Sequence, residues 1–328
     1  MRLLRKVFAC CALTLTTVYG LLGAELGLRW FFVESNGAGA TLASQRWLDE
    51  YWRPINSLGF RDGEVTADDL AGRRLLWVVG DSYAAGWGIK HPHDRFSDRL
   101  AEKLGDGWRV VNIAKPGWDT RRQIEAALAF PHRADAIVHA YCLNDAERAA
   151  ADAGVRMPHL PTEPSSAILA SVIRRSHLAN LIYWRWRSWD AQVAAAQYWD
   201  FIEKCYAAGP AWDAHESDLQ ALMQAYRGRT DRIAAFVIPN LLDVESSRPM
   251  TAKIEAWFET GGVQCIPLSD HLAGRSPAAL VVNRTDPHAN EEVHGLIAEL
   301  LFEAISRMKD SGGTTDVATT RATCGGRS

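Results

Sequence analysis

The sequence has no Cys-x-x-Cys pair, no basic block and no nucleotide-binding glycine motif, and each absence argues against a class of function. Without paired cysteines or a His-Glu-x-x-His motif, neither structural zinc nor dithiol redox chemistry is indicated. A net charge of −3 with no basic block argues against nucleic-acid binding. No P-loop and no dinucleotide glycine pattern is present, so we predict no cofactor and no metal. Cys205 and Cys265 could pair in an oxidising compartment, a point that the sequence leaves open.

An apolar segment near the amino terminus follows three basic residues. Val7–Ala24 contains eighteen residues without a charge, slightly fewer than the about 20 that cross a hydrocarbon core of about 30 Å. A cleaved signal peptide is the alternative to an anchor, but Leu22 stands where an A-x-A-like cleavage site has a small residue. We therefore predict an uncleaved signal anchor, a transmembrane helix, over 1–32. Because the basic cluster stays in the cytoplasm, the rest is predicted to lie outside it as a membrane-anchored, periplasmic domain.

The remaining composition, 48% hydrophobic and 23% charged over 328 residues, is typical of one large globular domain or two small ones. Short apolar runs predict strands at 74–79, 109–113, 135–141, 233–238 and 263–267. Helical spacing predicts helices at 94–104, 121–130, 215–228, 250–260 and 290–308. Strands that alternate with helices form a parallel sheet covered on both faces. We predict a three-layer α/β/α, flavodoxin-like sandwich with a five-stranded parallel sheet over 71–308.

Two segments outside these alternating strands and helices flank the domain. Residues 33–70 form a mixed connector, in which Tyr51–Arg61 alternates aromatic and polar residues around a proline and a glycine. This connector is expected to lie across the surface of the domain. The tail 309–328 is rich in Gly, Ser and Thr and is predicted to be disordered.

A long insertion, about 146–230, separates the third and fourth predicted strands. Three prolines in Met157–Ser166 exclude a continuous helix there, whereas Ala167–Tyr206 is helical by composition and rich in aromatics. We predict a helical cap beside the functional site. Its tryptophans at positions 184, 186 and 189 are expected to serve hydrophobic docking, with the membrane-proximal face as the candidate surface.

The first candidate catalytic residue lies in the stretch Leu75–Gly88. The apolar run Leu75–Val79 ends in Gly80-Asp81-Ser82, so Ser82 is predicted at the carboxyl end of a central strand, where open α/β sheets bind ligands. A helix that begins there would favour negative charge developing beside the serine hydroxyl. The alternative is that Ser82 only caps a helix, because serine is a favoured cap residue anywhere.

A serine nucleophile needs a base, a group that orients the base, and donors for an oxyanion. Asp286 and His288 lie in the last loop with Pro287 between them, so the carboxylate can reach the far nitrogen of the imidazole. Gly117 after the second predicted strand and Asn144 after the third offer a backbone and a side-chain N–H. Because all of these residues follow carboxyl ends of predicted strands, we expect them to lie together in one crevice.

In order and spacing, four blocks resemble the SGNH (GDSL-type) hydrolase family over about 71–308. The blocks are Gly80-Asp81-Ser82, Gly117 within N-x-x-x-x-G-x-x-T, Asn144-Asp145, and Asp286-Pro287-His288-Ala289-Asn290. The resemblance implies Ser82 as nucleophile and His288 as base, oriented by Asp286. It implies an oxyanion hole of the Ser82 and Gly117 backbone N–H groups and the Asn144 amide. The anchor and the stretch Asn56–Asp62 are similar to membrane-anchored bacterial members.

Three positions depart from the family pattern. Cys142 stands where the third block usually has glycine, which would narrow the pocket. Asp286 lies two residues before the histidine, whereas hydrolases more often place it three before, where this chain has Thr285. Ala289 replaces a frequent proline. The Asp-x-His spacing also occurs in relatives that include polysaccharide O-acetyltransferases. It is therefore compatible with the triad, but the reaction could be acyl transfer as well as hydrolysis.

These residues predict an extracytoplasmic serine esterase or acylhydrolase that cleaves an acyl or acetyl ester through an acyl-enzyme. The alternatives are an O-acetyltransferase acting on an envelope polysaccharide and a non-catalytic binding protein with an SGNH fold. The predicted partners are a small-molecule or glycan ester and, through the N-terminal helix, a membrane. Sequence leaves the substrate and the oligomeric state open.

Five further residues lie near these blocks. Trp87 and Trp118 are candidates for binding substrate, although packing in the core is the interpretation we favour for both. Asp81 and Asp145 are predicted to brace their turns by hydrogen bonds. His294, a rival to the proposed base, is predicted to pack within the closing helix or cap a neighbour.

Overall fold

The computed structural model describes residues 2–37, 39–158, 164 and 166–308, excluding the side chains of 188–193. The tail that was predicted to be disordered, 309–328, therefore lies outside the described residues. So do positions 159–163 of the proline-broken segment and the side chain of Trp189.

The helices and strands follow one another along the chain in an alternating order after position 74. In sequence they are α1 (Arg2–Phe31), α2 (Leu42–Tyr51), α3 (Ala67–Leu70), β1 (Arg74–Gly80), α4 (Ser82–Ala85), α5 (Phe96–Leu104), β2 (Trp108–Ala114), α6 (Thr120–Ala129), β3 (Ala136–Cys142), α7 (Glu147–Asp152), α8 (Ala167–Ile173), α9 (His177–Tyr206), α10 (Pro210–Arg227), β4 (Ile233–Ile238), α11 (Val244–Thr260), β5 (Gln264–Ile266), α12 (Leu268–Leu272), β6 (Val281–Asn283), β7 (Asp286–Ala289) and α13 (Glu291–Arg307).

The five-stranded sheet has the order β2-β1-β3-β4-β5, and every neighbouring pair is parallel. This order confirms the predicted flavodoxin-like fold. In the register of the sheet, Gly80 pairs with Ala114 on one side and with Ala140 on the other. The loops that follow β1, β2 and β3 therefore leave the sheet at one edge, and they carry Ser82, Gly117 and Asn144 there.

Alternation along β1 divides the core between the two faces of the sheet. Leu75, Trp77 and Val79 point to the face covered by α6, α10 and α11, whereas Leu76 and Val78 point to the face covered by α5 and α13. All five side chains are buried. A strand buried on both faces reads as a continuous apolar run, which is why this strand was recognisable in the sequence.

The insertion is helical, as predicted. Helix α10 packs against α6 and α7 and contributes Leu219, Leu222 and Tyr226 to the core. It therefore forms part of one outer layer of the sandwich. The 30-residue helix α9 ends beneath the turn that follows β3, where Tyr206 is buried. The insertion thus contacts the turn after β3 through a hydrogen bond from the Tyr206 hydroxyl to the Leu143 carbonyl.

The connector, which was expected to lie across the surface of the domain, contributes buried side chains to it. Trp47 of α2, Phe60 and Arg61 are all buried. Asp62 accepts a hydrogen bond from the backbone N–H of Asn112 in β2 (2.8 Å). Because β2 is an edge strand of the sheet, this contact covers an otherwise open edge. Residues 33–70 are thus built into the domain.

Helix α1 is the one helix of the described chain that is long and apolar enough to cross a membrane. None of its residues is buried. Its Glu25 carboxylate accepts hydrogen bonds from the Ser176 hydroxyl (2.8 Å) and from the backbone N–H groups of His177 (3.0 Å) and Leu178 (2.9 Å). The amino terminus of α9 is thereby attached to α1. Cys205 and Cys265, whose pairing was left open, are both free.

Three neutral histidines are buried in the domain, on β3, α10 and α13. Burial lowers the pKa of His139, His215 and His294 to about 3 each. Below pH 6.5 the unfolded chain binds protons that the folded chain does not, so the free energy of unfolding falls as the pH falls from 6.5 towards 3. Each such histidine contributes about 1.4 kcal/mol per pH unit in that window.

We expect His294→Gln to reduce this pH dependence by about 1.4 kcal/mol per pH unit. Glutamine can still accept the hydrogen bond that the Phe96 backbone N–H donates to His294 Nδ1 (3.1 Å), so the fold should persist. The measurement is urea unfolding at pH 7 and pH 5, and the control is His93→Gln at an exposed imidazole. An unchanged slope in His294→Gln would contradict the assignment of a buried neutral imidazole. The Phe96 contact also confirms that His294 caps a neighbouring helix.

Candidate active site

The turn after β1 places Ser82 at the first position of α4. Asp81 is the N-cap residue, because its carboxylate accepts from the Tyr83 backbone N–H (3.0 Å). The interpretation of Ser82 as a helix cap is therefore wrong. Gly80 is needed for close approach, because a Cβ there would lie 2.8 Å from both the Ala140 carbonyl oxygen and the Ala84 Cβ. Helix α4 has only four residues, so its dipole adds little and the local N–H groups carry the electrostatic effect.

Asp286 and His288 lie on β7, which pairs antiparallel with β6 in a small hairpin. The prediction of a loop for these two residues is wrong, because they lie on a strand of the hairpin. Its tight reversal is held by Asn283 Oδ1, which accepts from the backbone N–H (2.8 Å) and hydroxyl (2.9 Å) of Thr285. The two-residue spacing works because alternate residues of a strand point to the same side.

A chain of hydrogen bonds joins the three predicted triad residues. His288 Nε2 lies 2.9 Å from Ser82 Oγ, and His288 Nδ1 lies 2.6 Å from Asp286 Oδ1. Because a carboxylate only accepts, we assign the imidazole proton to Nδ1, which leaves the Nε2 lone pair facing the serine hydroxyl. Asp286 is fully buried, while Ser82 and His288 are 9% and 8% exposed. The arrangement can remove a proton from Ser82 and stabilise the imidazolium that forms.

Aromatic rings hold the imidazole in place. The centroid of the Tyr83 ring lies 4.6 Å from that of His288, and the Trp87 ring lies 6.1 Å away. Tyr83 donates to the carbonyl of Pro287 (3.3 Å). Trp87 also contacts Trp52, so it packs between the connector and the base and remains half-buried.

Asn144 lies two residues beyond β3 and meets the nucleophile turn through Asp81. Its Nδ2 donates to Asp81 Oδ2 (3.1 Å), and the Ser82 Oγ lies 3.4 Å from the same oxygen. Burial raises the pKa of the Asp81 carboxyl, against the hydrogen bonds from Tyr83 and Asn144. Asp81 thus braces its turn, as predicted, and also orients the Asn144 amide, whose second N–H is available for a ligand.

Gly117 leaves the same edge of the sheet after β2. Its φ of +74° favours glycine, and a Cβ there would meet no atom within 4 Å. It lies in an open turn, in which Trp118 N–H donates to the Lys115 carbonyl (3.3 Å). Trp118 packs edge-on against Phe60 at 5.8 Å. Its contacts are thus with the connector and the core.

Asp145 and Cys142 complete the turn after β3. The buried carboxylate of Asp145 accepts from the Cys142 backbone N–H (3.2 Å) and from Gln123 Nε2 (2.8 Å), which is the bracing role predicted for it. The Cys142 side chain is buried, and burial raises the pKa of its thiol well above the usual range. It is therefore a packing residue in its neutral form.

The connector supports both halves of the site, which the sequence did not indicate. The backbone N–H of Gly37 donates to the Thr285 carbonyl (2.9 Å), and Trp87 Nε1 donates to the Asn36 carbonyl (3.1 Å). Residues 36–37 thus join the hairpin of the base to the segment after α4. Asn36 Nδ2 also donates to the Thr285 carbonyl (3.2 Å), a contact between positions 249 residues apart in the chain, which no local sequence pattern indicates.

Arg61 binds the segment that follows Ser82. Its guanidinium donates to the carbonyls of Gly86 (2.7 Å) and Ile89 (2.8 Å) and lies 4.7 Å from the centroid of the Trp52 ring. Burial lowers its pKa to about 9. Since Gly86 ends α4 in the left-handed conformation, Arg61 fixes the carboxyl end of the helix that begins with Ser82.

A chain of buried hydrogen bonds connects the insertion to the turn that contains Asn144. His215 Nε2 lies 2.6 Å from the Tyr141 hydroxyl, which lies 2.5 Å from that of Tyr206, and Tyr206 donates to the Leu143 carbonyl (2.9 Å). The Leu143 acceptor fixes the direction of this chain of hydrogen bonds, so His215 donates from Nε2. Tyr206 is thus a positioning residue for the turn that carries Asn144.

We expect Tyr206→Phe to lower kcat about tenfold with KM nearly unchanged, because losing the donor to the Leu143 carbonyl loosens the Asn144 amide (about 1–1.5 kcal/mol). The control is Tyr226→Phe, which removes a buried hydroxyl that is bonded to His139 Nδ1 (3.0 Å). This control should cost comparable stability in urea unfolding and leave kcat unchanged. Equal kcat values in the two variants would contradict the positioning role.

Comparison with known proteins identifies one family and several solved structures of low sequence identity. Residues 78–294 match the model of the GDSL-like Lipase/Acylhydrolase family. A lipolytic protein of the G-D-S-L family from Veillonella parvula is 10% identical, with 72% of this chain and 100% of that chain covered and a TM-score of 0.42. An acetylxylan esterase from Geobacillus stearothermophilus is 14% identical, with 71% and 94% covered and a TM-score of 0.44. No curated protein matches the chain.

Proposed function

The chain belongs to the GDSL-like lipase/acylhydrolase family, and from this membership we propose that it is a membrane-anchored, extracytoplasmic serine esterase that uses Ser82, His288 and Asp286 as its triad. The family is one of ester hydrolases, and the hydrogen-bonded chain from Asp286 through His288 to Ser82 carries the proposal. The substrate is a carboxylic ester with an acyl or acetyl group.

In the proposed first half-reaction, His288 Nε2 takes the proton of Ser82 as Oγ attacks the ester carbonyl carbon. The carbonyl oxygen becomes an oxyanion, held by the backbone N–H groups of Ser82 and Gly117 and by the free N–H of the Asn144 amide. The intermediate collapses, the C–O bond to the alcohol breaks, and the alcohol leaves with the proton from His288. Asp286 stabilises the imidazolium between these steps.

In the second half-reaction, His288 removes a proton from water, which attacks the carbonyl carbon of the acyl-enzyme. The bond to Ser82 Oγ breaks, His288 returns the proton to Oγ, and the carboxylic acid leaves. A sugar hydroxyl in place of water would give the transferase reaction instead, with the same proton steps. The two outcomes therefore differ only in the acceptor that reaches the acyl-enzyme.

The test is made with the full-length chain in detergent. A fluorophosphonate probe should label Ser82, as located by peptide mass spectrometry, and short-chain and long-chain acyl esters should be hydrolysed. Absence of a Ser82 adduct together with absence of hydrolysis would overturn the proposal in favour of a binding protein. Transfer of the acyl group to an added oligosaccharide, with little free acid, would replace the esterase by an O-acyltransferase.

The location rests on α1 and the basic residues that precede its apolar stretch. The helix indicates secretion or membrane anchoring, and the bonds from Glu25 to the start of α9 support retention of the helix as part of the folded protein. Mass spectrometry of the protein from membranes of the source cells should find the amino terminus intact. A mature chain beginning near position 25 would show a cleaved signal peptide instead.

A further inference from the structure

The corner between α8 and α9, residues 166–187, carries a charge unlike that of the rest of the chain. It contains four arginines, at positions 174, 175, 185 and 187, and no aspartate or glutamate. The chain as a whole has a net charge of −3. This α8–α9 corner is therefore rich in arginine within an acidic chain.

The same corner exposes large apolar side chains. Helix α8 reads AILASVI, yet only Ala170 and Ile173 are buried, and Ile168 is 79% exposed. In α9, Ile182 is 59% and Trp186 is 69% exposed. A helix that is apolar on all sides normally has every face covered. Exposed apolar side chains interleaved with arginine and tryptophan are typical of segments that lie in a membrane–water interface.

The attachment to α1 gives the position of this corner. Glu25, which binds the amino terminus of α9, directly follows the charge-free stretch Val7–Ala24. Four residues further on, Arg29 donates to the carbonyl of Arg175 (3.1 Å). The turn between α8 and α9 thus sits beside the point at which α1 would leave the hydrocarbon core.

We infer that the α8–α9 corner lies on the surface of an anionic bilayer, the one that α1 spans. Its arginines meet lipid phosphates, and Ile168, Ile182 and Trp186 enter the interfacial region. Charge complementarity and continuity with α1 select lipid as the occupant. Basic residues close to an anionic surface are attracted to it. The inference rests on the anchoring role proposed for α1.

The test uses the full-length chain in lipid nanodiscs that contain phosphatidylglycerol, with acyl chains brominated near the headgroup as a quencher of tryptophan fluorescence. Among described tryptophan side chains only Trp30 of α1 and Trp186 are more than half exposed. Trp186→Phe should therefore remove roughly half of the quenched emission, since an interfacial indole lies at the depth of the bromines. The control Trp257→Phe, in a half-buried ring bonded to Glu216, should leave the quenched emission unchanged.

Equal quenching in wild type and Trp186→Phe would overturn the inference. A second variant, Ile168→Ser/Val172→Ser, tests the alternative that the corner binds another copy. If wild type is a dimer in detergent and this variant a monomer, with no quenching from Trp186, the face is a protein contact. Hydrolysis of a soluble ester should be unchanged in all these variants, so a failure here is distinct from a failure of the triad.

Discussion

Ser82→Ala is expected to lower kcat for ester hydrolysis on the order of 10⁵-fold, because the variant has no nucleophile to form the acyl-enzyme. A residual rate above that in water should remain, since the oxyanion donors and substrate binding are unaffected. The fold should persist, because the Ser82 hydroxyl contacts only His288 and, at 3.4 Å, Asp81. The measurement is hydrolysis of a chromogenic acyl ester by the detergent-solubilised chain, with fluorophosphonate labelling in parallel.

The matched control is Ser306→Ala. Ser306 lies near the end of α13 beside Arg74 and Trp108, at the opposite edge of the sheet from the triad. Its loss should leave both hydrolysis and labelling unchanged. Retention of more than a tenth of wild-type kcat by Ser82→Ala would exclude Ser82 as nucleophile and would require another group to attack the ester.

Asp286→Asn is expected to lower kcat by about 10³- to 10⁴-fold. The substitution keeps the size of the side chain but removes the charge that stabilises the imidazolium. An amide that donates to Nδ1 would also move the imidazole proton to Nε2, where it blocks acceptance from Ser82. Asp286 is fully buried and its Oδ2 has no partner among the described residues, so the other bond that the change affects is the one that Oδ1 accepts from the His288 backbone N–H (3.3 Å).

Asp270→Asn is the matched control for this change. Its carboxylate is largely exposed and pairs with Arg248, so the variant should keep wild-type kcat. Circular dichroism should show all variants folded. If Asp286→Asn hydrolysed ester at the wild-type rate, another group would have to orient His288, and the two-residue spacing of Asp286 and His288 would have no catalytic meaning.

The sheet was predictable because its strands are buried on both faces. Continuous apolar runs such as Leu75–Val79 carry a strong local signal, and their alternation with helices indicates a parallel sheet. The four motif blocks could be placed at one edge for the same reason. Ser82 and Asn144 could be placed at the site because each follows a strand of the sheet, whereas His288 lies on the hairpin strand β7.

The supports of the site could not be predicted, because each is a contact between distant segments. The hairpin strand Asp286–Ala289 is polar and four residues long, so it lacks the alternation that identifies strands. The buried guanidinium of Arg61 and the hydroxyl of Tyr206 are recognisable only once the Gly86 and Leu143 carbonyls lie beside them. Helical composition predicted the helices of the insertion without indicating what each of them packs against.

The short link between α1 and the hairpin has a consequence for how the enzyme encounters its ester. From Phe31 to Gly37, which bonds to Thr285 beside the triad, the chain spans at most about 20 Å. With α1 in a bilayer, the serine is confined to a thin layer above the lipid. Encounter with a membrane-attached ester then becomes lateral diffusion at a high effective concentration. Esters dissolved in bulk solution gain no such advantage.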